Sequence, residues 1–252
     1  MGMRFAAFIV FSVAAMAAHG GQCTAQSGPG TAALVELYTS EGCSSCPPAD
    51  RWLGSLGQRY AAGKLVPLAL HVDYWDYIGW KDPYAKREFA LRQRKFSQLQ
   101  RMAFVYTPQV LLQGRDFRGW GSRAFDDAVE GINAQPERAR LRLAILAADG
   151  RTIEVEARAE LVERMDDAAL YLAVYESKLQ SRVSAGENRG RTLSHDHVVL
   201  EWQGPFGIAD GLVERRKLPL LPGAAGANSG VAAFVQVRRT GEVLQALMRS
   251  PC

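Results

Sequence analysis

Apolar and polar positions follow two textures along the chain. From Ala33 to Ala134, short β-forming runs alternate with stretches of helical spacing. Ala33–Thr39 (ALVELYT) and Leu65–Val72 (LVPLALHV) are nearly continuous apolar runs, which predicts buried strands. Between them Leu53, Leu56 and Tyr60 recur at helical spacing. Pro47 and Pro48 suit a first helical turn, where the N–H groups lack an intrahelical acceptor. A helix is therefore predicted to begin at or just after Cys43. Tyr84–Met102 predicts a second helix. Ala85, Phe89, Phe96 and Leu99 share its apolar face, and Lys86, Arg87, Arg92, Arg94, Lys95 and Arg101 make the rest a solvated basic face. Gln109–Leu112 reads as a third strand, Arg115–Trp120 as a hairpin return and Ala124–Ala134 as a closing helix.

From about Arg140 the pattern changes. Leu141–Ala147, Thr152–Ala157, Ala169–Tyr175, Val198–Trp202 and Val231–Val237 are short β-like runs separated by turn signals such as Ala148-Asp149-Gly150 and Thr240-Gly241. Such spacing predicts an antiparallel sandwich of roughly five to seven strands. A boundary is expected near residue 137, after Ala134-Gln135-Pro136. It divides an α/β unit (31–137) from a β-rich, sandwich-like unit (138–252).

The chain has 252 residues, 48% hydrophobic and 22% charged, which suits a globular protein of one or two domains. A formal charge of +4 is too small to argue for nucleic acid, and no RNA-binding or zinc-finger motif is present. Arg4 followed by the apolar run Phe5–Ala18 has the form of an export signal and is short for a membrane span. Cleavage after residue 20 or 25 is expected, leaving a mature chain without an integral membrane segment. A periplasmic or secreted location allows disulfides to persist. Of the four cysteines, Cys23 and Cys252 form a staple only if cleavage spares Cys23.

The remaining two form Cys43-Ser44-Ser45-Cys46, placed between a strand and a helix. The first N–H groups of a helix carry partial positive charge, which stabilises a thiolate. Cys43 is expected to be the exposed attacking sulfur and Cys46 the resolving thiol, with Ser44 and Ser45 offering polar groups to the substrate. A zinc site would want a second ligand pair, and a bridge within one turn would constrain little chain. A redox-active dithiol is the better reading. Thr107-Pro108, expected to be cis, would supply a second wall and a peptide-binding edge.

The stretch Val35–Asp50 (VELYTSEGCSSCPPAD) resembles the signature of a family of secreted bacterial thioredoxin-like proteins of unassigned function. His71–Asp76 (HVDYWD), Tyr106–Gln109 (YTPQ) and Thr192–Val199 (TLSHDHVV) resemble it too. The resemblance implies a thioredoxin-like fold with a carboxy-terminal β-rich extension, and no known substrate. Gly42 stands where thioredoxins carry tryptophan, and Pro47 follows the second cysteine, so general thioredoxin activity does not follow.

Other residues are secondary candidates. Glu36, in an apolar strand before the CxxC, is a candidate acid–base partner for Cys46. Asp73 and Trp75 follow a strand's carboxyl end, where binding crevices form. His195 and His197 would share one face of a strand, as a metal pair requires, but no third ligand is evident. The expected function is thiol–disulfide exchange on protein thiols and disulfides, with no cofactor. A non-catalytic binding module of the cell envelope is the alternative, and copper or zinc handling a weaker one.

Overall fold

The computed structural model describes residues 23–208, 211–220 and 228–252. The apolar run read as an export signal lies outside these residues. Among the described residues, no helix is long and apolar enough to cross a membrane.

The first half holds β1 (Cys23–Gln26), β2 (Ala33–Thr39), α1 (Pro47–Arg59), β3 (Leu65–His71), a 3-10 helix (Asp73–Ile78), α2 (Arg87–Leu99), β4 (Gln109–Leu112), β5 (Arg115–Asp116) and α3 (Arg123–Asn133). The second holds β6 (Ala139–Ala148), β7 (Thr152–Leu161), β8 (Ala168–Glu176), β9 (Leu179–Arg182), β10 (Thr192–His195), β11 (Val198–Gly207), β12 (Leu212–Pro219), β13 (Ser229–Val237) and β14 (Val243–Arg249).

The protein is mostly β-sheet, and its largest sheet is mixed. Eight strands run in the order β14-β13-β8-β11-β3-β2-β4-β5. β2 and β3 are parallel, and β4 is antiparallel to β2. The texture change near residue 137 is not a break in this sheet: β11 meets β3 at Val198↔Ala69, so strands from both halves share it. A four-stranded sheet, β1-β6-β7-β12, and the two-stranded β9–β10 hairpin complete the fold.

Alternation along the strands assigns the faces. On β2, Val35 and Leu37 join Leu53 and Leu56 of α1 and Phe125 of α3. Leu34 and Tyr38 point the other way, toward Phe89 and Phe96 of α2. On β8, Leu170, Leu172 and Val174 meet Leu141, Leu143 and Val155 of the smaller sheet, whereas Tyr171 faces α2. One face is thus covered by α1 and α3 at one end and by the second sheet at the other. Helix α2 spans the joint on the opposite face. Burial of a Leu, Val or Phe contributes about 1.5–3 kcal/mol each, so these layers carry most of the favourable energy.

Two expectations need correction here. The small, polar stretch 19–30 (HGGQCTAQSGPG) reads in sequence as a flexible lead-in, but among its described residues Cys23–Gln26 pairs with Ile145–Arg142 of β6, and Cys23 is disulfide-bonded to Cys252. The small, polar composition of β1 hides a strand fixed by its partners. The basic helix is not solvated all round: Arg92 turns inward, where its guanidinium meets Glu36, and lies over the rings of Trp202 and Phe96.

Candidate functional site

Strands β2 and β3 end side by side at Thr39 and His71, and α1 begins beside them. The chain leaves β2 through a turn in which the Cys43 N–H donates to the Ser40 carbonyl at 3.2 Å. Gly42 lets the turn pack closely there: a Cβ would stand 3.2 Å from the Trp75 Cβ, a tight contact. A second turn carries Cys46 N–H to the Cys43 carbonyl, and Cys46 then caps α1. The helix therefore starts after the second cysteine, with Pro47 and Pro48 in the positions that need no N–H donor. Cys43 and Cys46 are joined as a disulfide, Cα atoms 5.5 Å apart.

Neither sulfur-bearing residue is exposed. Cys43 is 1% accessible and Cys46 0%, which corrects the expectation of an open Cys43. The loop between β9 and β10 is fastened to this turn. Asn188 Nδ2 donates to the carbonyls of Glu41 and Cys43, each at 2.9 Å, and Glu187 Oε2 accepts the Ser44 N–H at 2.8 Å. Those hydrogen bonds hold the Glu187 carboxyl below its usual range. Ser44 and Ser45 stay exposed, and Ser45 Oγ lies 3.3 Å from Cys43 Sγ.

Thr107 and Pro108 stand where the sequence places them. The register pairs Tyr38 with Gln109, so its continuation puts Pro108 beside Thr39. The Thr107–Pro108 bond is cis. Trp75 Nε1 donates to Thr107 Oγ1 at 2.7 Å while its Cβ packs on Gly42, so Trp75 bridges the two walls. Asp73 sits in the same 3-10 helix but makes no hydrogen bond or ion pair among those found at the site.

Glu36 is not brought to Cys46. Period-two alternation turns it to the α2 face, away from α1, and Arg92 Nε binds its Oε1 at 2.6 Å. The buried acid next to the disulfide is Asp50, one turn beyond Cys46 on α1, its N–H donating to the Cys46 carbonyl. Thr39 Oγ1 donates to Asp50 Oδ1 at 2.7 Å. Burial raises the Asp50 carboxyl above its usual range, and His195 and His71 only partly offset this.

Behind Asp50 lies a buried polar cluster. His195 Nε2 is 3.0 Å from Glu41 Oε1, and its Nδ1 is 3.8 Å from Asp50 Oδ2. His71 Nδ1 is 2.7 Å from Asp82 Oδ2, which also accepts the Glu41 N–H at 2.8 Å. The two imidazoles meet edge to face with centroids 4.9 Å apart. Trp80 Nε1 holds the other Glu41 oxygen at 2.8 Å. Burial works against charge on His71, but Asp82 outweighs it and raises the imidazole's pKa; burial likewise pushes Asp82 up, and His71 draws it below the usual range. His71 Nε2 and His195 Nδ1 have no hydrogen-bond partner.

His195 and His197 do not share a face. β10 ends at His195, and His197 has a left-handed φ of 58° in the turn before β11. His195 enters the cluster, while the His197 ring lies against Tyr175, 5.6 Å between centroids. Among the described residues no group of three or more His, Cys, Asp or Glu side chains is arranged to hold a metal ion. Asp50, Glu41, Asp82, Glu187 and Asn188 were not legible as site residues. Glu41 and Asp50 carry one signal, their position inside the stretch VELYTSEGCSSCPPAD; Asp82, Glu187 and Asn188 lie outside all the stretches quoted above.

A family model described as a protein of unknown function, DUF1223, matches residues 34–236. No curated protein matches the chain. Among solved structures, a structural-genomics protein from Agrobacterium tumefaciens is 27% identical, with a TM-score of 0.63 over 89% of this chain and 96% of the other. HBP35 of Porphyromonas gingivalis shares the fold at 14% identity, TM-score 0.65, over 89% of this chain and 76% of the other.

Proposed function

The chain belongs to the DUF1223 family, whose function is unassigned, and on that footing we propose that it is an exported thiol–disulfide oxidoreductase built on a thioredoxin-like unit. The observation that carries the reading is the disulfide Cys43–Cys46 at the start of α1, with Pro108 beside Thr39 and the buried Asp50 one turn beyond. The element order β2-α1-β3-α2-β4-β5-α3 supports the thioredoxin-like assignment. A bridge spanning so few residues contributes little to stability, which favours a chemical use for it. Two disulfides, Cys43–Cys46 and Cys23–Cys252, fit an oxidising compartment outside the cytoplasm.

Cys43 is the sulfur that exchanges with protein thiols and disulfides. It lies in the turn that leads into α1, with Ser45 Oγ 3.3 Å from its sulfur. Cys46 resolves the mixed disulfide, Asp50 takes the acid–base role expected of Glu36, and Thr107, Ser44, Ser45 and Trp75 border the approach. The test is turnover of a protein disulfide with dithiothreitol as reductant. Activity is expected in the unaltered protein and lost in Cys43→Ser; full activity in that variant sinks the assignment.

One observation favours a second reading. With Cys43 and Cys46 buried under Glu187 and Asn188, the disulfide can serve as a redox-set feature of a non-catalytic binding module of the cell envelope. Partner capture that depends on the oxidised form, without turnover, selects this reading.

A further inference from the structure

The motif TLSHDHVV lies about 150 residues beyond the CxxC, yet the β9–β10 hairpin returns its His195 to the disulfide. Asp50 is faced by Thr39 from β2, by His71 from β3 and by His195 from β10, with Glu41 and Asp82 behind the two imidazoles. Each imidazole already has one acid at hydrogen-bond distance, Glu41 for His195 and Asp82 for His71. Asp50 is the fifth ionisable group of the cluster and has no cation of its own. A carboxylate without a cation in a buried site is costly, so the resting form of Asp50 is the neutral acid. Its nearest imidazole nitrogen, His195 Nδ1, is buried, has no hydrogen-bond partner and stands 3.8 Å from Oδ2.

We propose that His195 is a positioning residue for disulfide exchange, holding the negative charge that Asp50 acquires when its proton passes to Cys46. This rests on the oxidoreductase reading and assigns the second half of the chain a part in it. An incoming thiolate of a dithiol reductant attacks Cys43 Sγ and forms a new S–S bond there. The Cys43–Cys46 bond breaks, and its electron pair leaves on Cys46 Sγ. The Asp50 carboxyl gives its proton to that sulfur. The products are a mixed disulfide at Cys43, a thiol at Cys46 and a carboxylate at Asp50 facing His195 Nδ1. Glu41, fixed by Trp80, orients the ring from its other nitrogen. The β9–β10 hairpin thus brings the charge-holding group to the disulfide, which gives the second half of the chain a part in the exchange.

The experiment is exchange kinetics of the Cys43–Cys46 disulfide with dithiothreitol from pH 5 to 9, in the full chain and three variants. Rates are compared after correction for the thiolate fraction of the reductant. Loss of general-acid help in Asp50→Asn is expected to slow exchange by on the order of a hundredfold and to remove the pH inflection that Asp50 sets. His195→Gln is expected to slow exchange by about tenfold and to move that inflection to higher pH, because Asp50 then ionises with His71 alone to offset its charge. The double variant is expected to match Asp50→Asn alone, since His195 acts through Asp50. A wild-type inflection in His195→Gln, or additive losses in the double variant, overturns the proposal. Infrared difference spectra of the unaltered protein follow the same proton without any substitution. The buried carboxylic-acid band is expected to vanish on reduction, and its persistence overturns the proposal. A disulfide that does not exchange in the unaltered protein at any pH overturns the oxidoreductase reading as well.

Discussion

Two clusters of buried charge lie on opposite faces of the central sheet. On the α2 face, Glu36 binds Arg92, whose other nitrogen donates to Gln236 Oε1 at 3.1 Å. Four aromatic rings, Phe96, Tyr171, Trp202 and Phe234, surround that guanidinium at 4.5–5.5 Å. On the other face, Asp50, Glu41, His195, His71 and Asp82 stand behind the disulfide. The first cluster uses arginine, which does not give up its proton, inside an aromatic box. The second uses histidines, which exchange protons where arginine does not, and leaves a nitrogen on each without a partner. Both are largely shielded from bulk water. On the proposed function, what separates a bolt from a chemical site is whether the buried groups can exchange protons, together with what lies next to them.

The sharpest way to test that division is to remove each bolt. Arg92→Met leaves Glu36 buried without its partner, and loss of one partner of a buried pair costs about 3–5 kcal/mol. Urea unfolding is expected to show a loss of that size, with exchange chemistry unaltered in the protein that remains folded. Adding Glu36→Leu to Arg92→Met removes the stranded carboxylate and is expected to recover most of the loss. If instead Arg92→Met changes the pH profile of disulfide exchange, the two clusters are coupled through β2 and the comparison fails.

A smaller effect follows from the titrating cluster. His71 has a raised pKa in the folded chain, so its contribution is complete below the unfolded value near 6.5 and is lost as pH rises through the folded value. Asp82 has a lowered one, so its contribution is present above the unfolded carboxylate range and is lost as pH falls through the folded value. Asp50 has a raised one: its neutral form is favoured on folding, and stability falls as pH rises from the unfolded carboxylate range to the folded value. His71 and Asp50 therefore both make the chain less stable on the alkaline side, while Asp82 weakens it in acid. Urea midpoints are expected to be highest in mildly acidic solution and lower at pH 8. Asp50→Asn is expected to flatten part of that slope, and an unchanged slope would mean that Asp50 is not the neutral acid described.

Much of this was written in the sequence, for definable reasons. β2, α1, β3 and the CxxC were legible because continuous apolar runs and a Pro-Pro start leave few alternatives. The identity of the acid was not. Glu36 drew attention as the charged residue in an apolar strand, but strand alternation sends it to α2, and nothing local announces Arg92 as its partner. Asp50 sat in the motif CPPAD and looked like an ordinary first-turn helix acid. β9 and β10 were missed because Leu179–Arg182 and Thr192–His195 are short and mostly polar, and they pair with each other rather than extending a larger sheet. The contacts on the CxxC turn were illegible for the same reason: Glu187 and Asn188, which make them, come from the loop of that hairpin.

That loop yields the smallest effect. Asn188 is fully buried and makes two hydrogen bonds to carbonyls of the CxxC turn. Each contributes about 1 kcal/mol net, about 2 kcal/mol together, so Asn188→Ala is expected to loosen the loop by enough to raise its open fraction about thirtyfold. Exchange of Cys43–Cys46 with dithiothreitol is then expected to quicken by about the same factor, since attack requires the covered sulfur to be reached. Glu187→Gln keeps the acceptor oxygen and removes its charge at an exposed position, so its effect is expected to be smaller than that of Asn188→Ala. Faster exchange in both variants, in that order, identifies the hairpin as the cover of the site. An unchanged rate in Asn188→Ala would mean that the sulfur is reached by another route, along the Thr107–Pro108 edge. The disulfide would then share with the Glu36–Arg92 bolt its burial alone, and the hairpin would be only the carrier of His195.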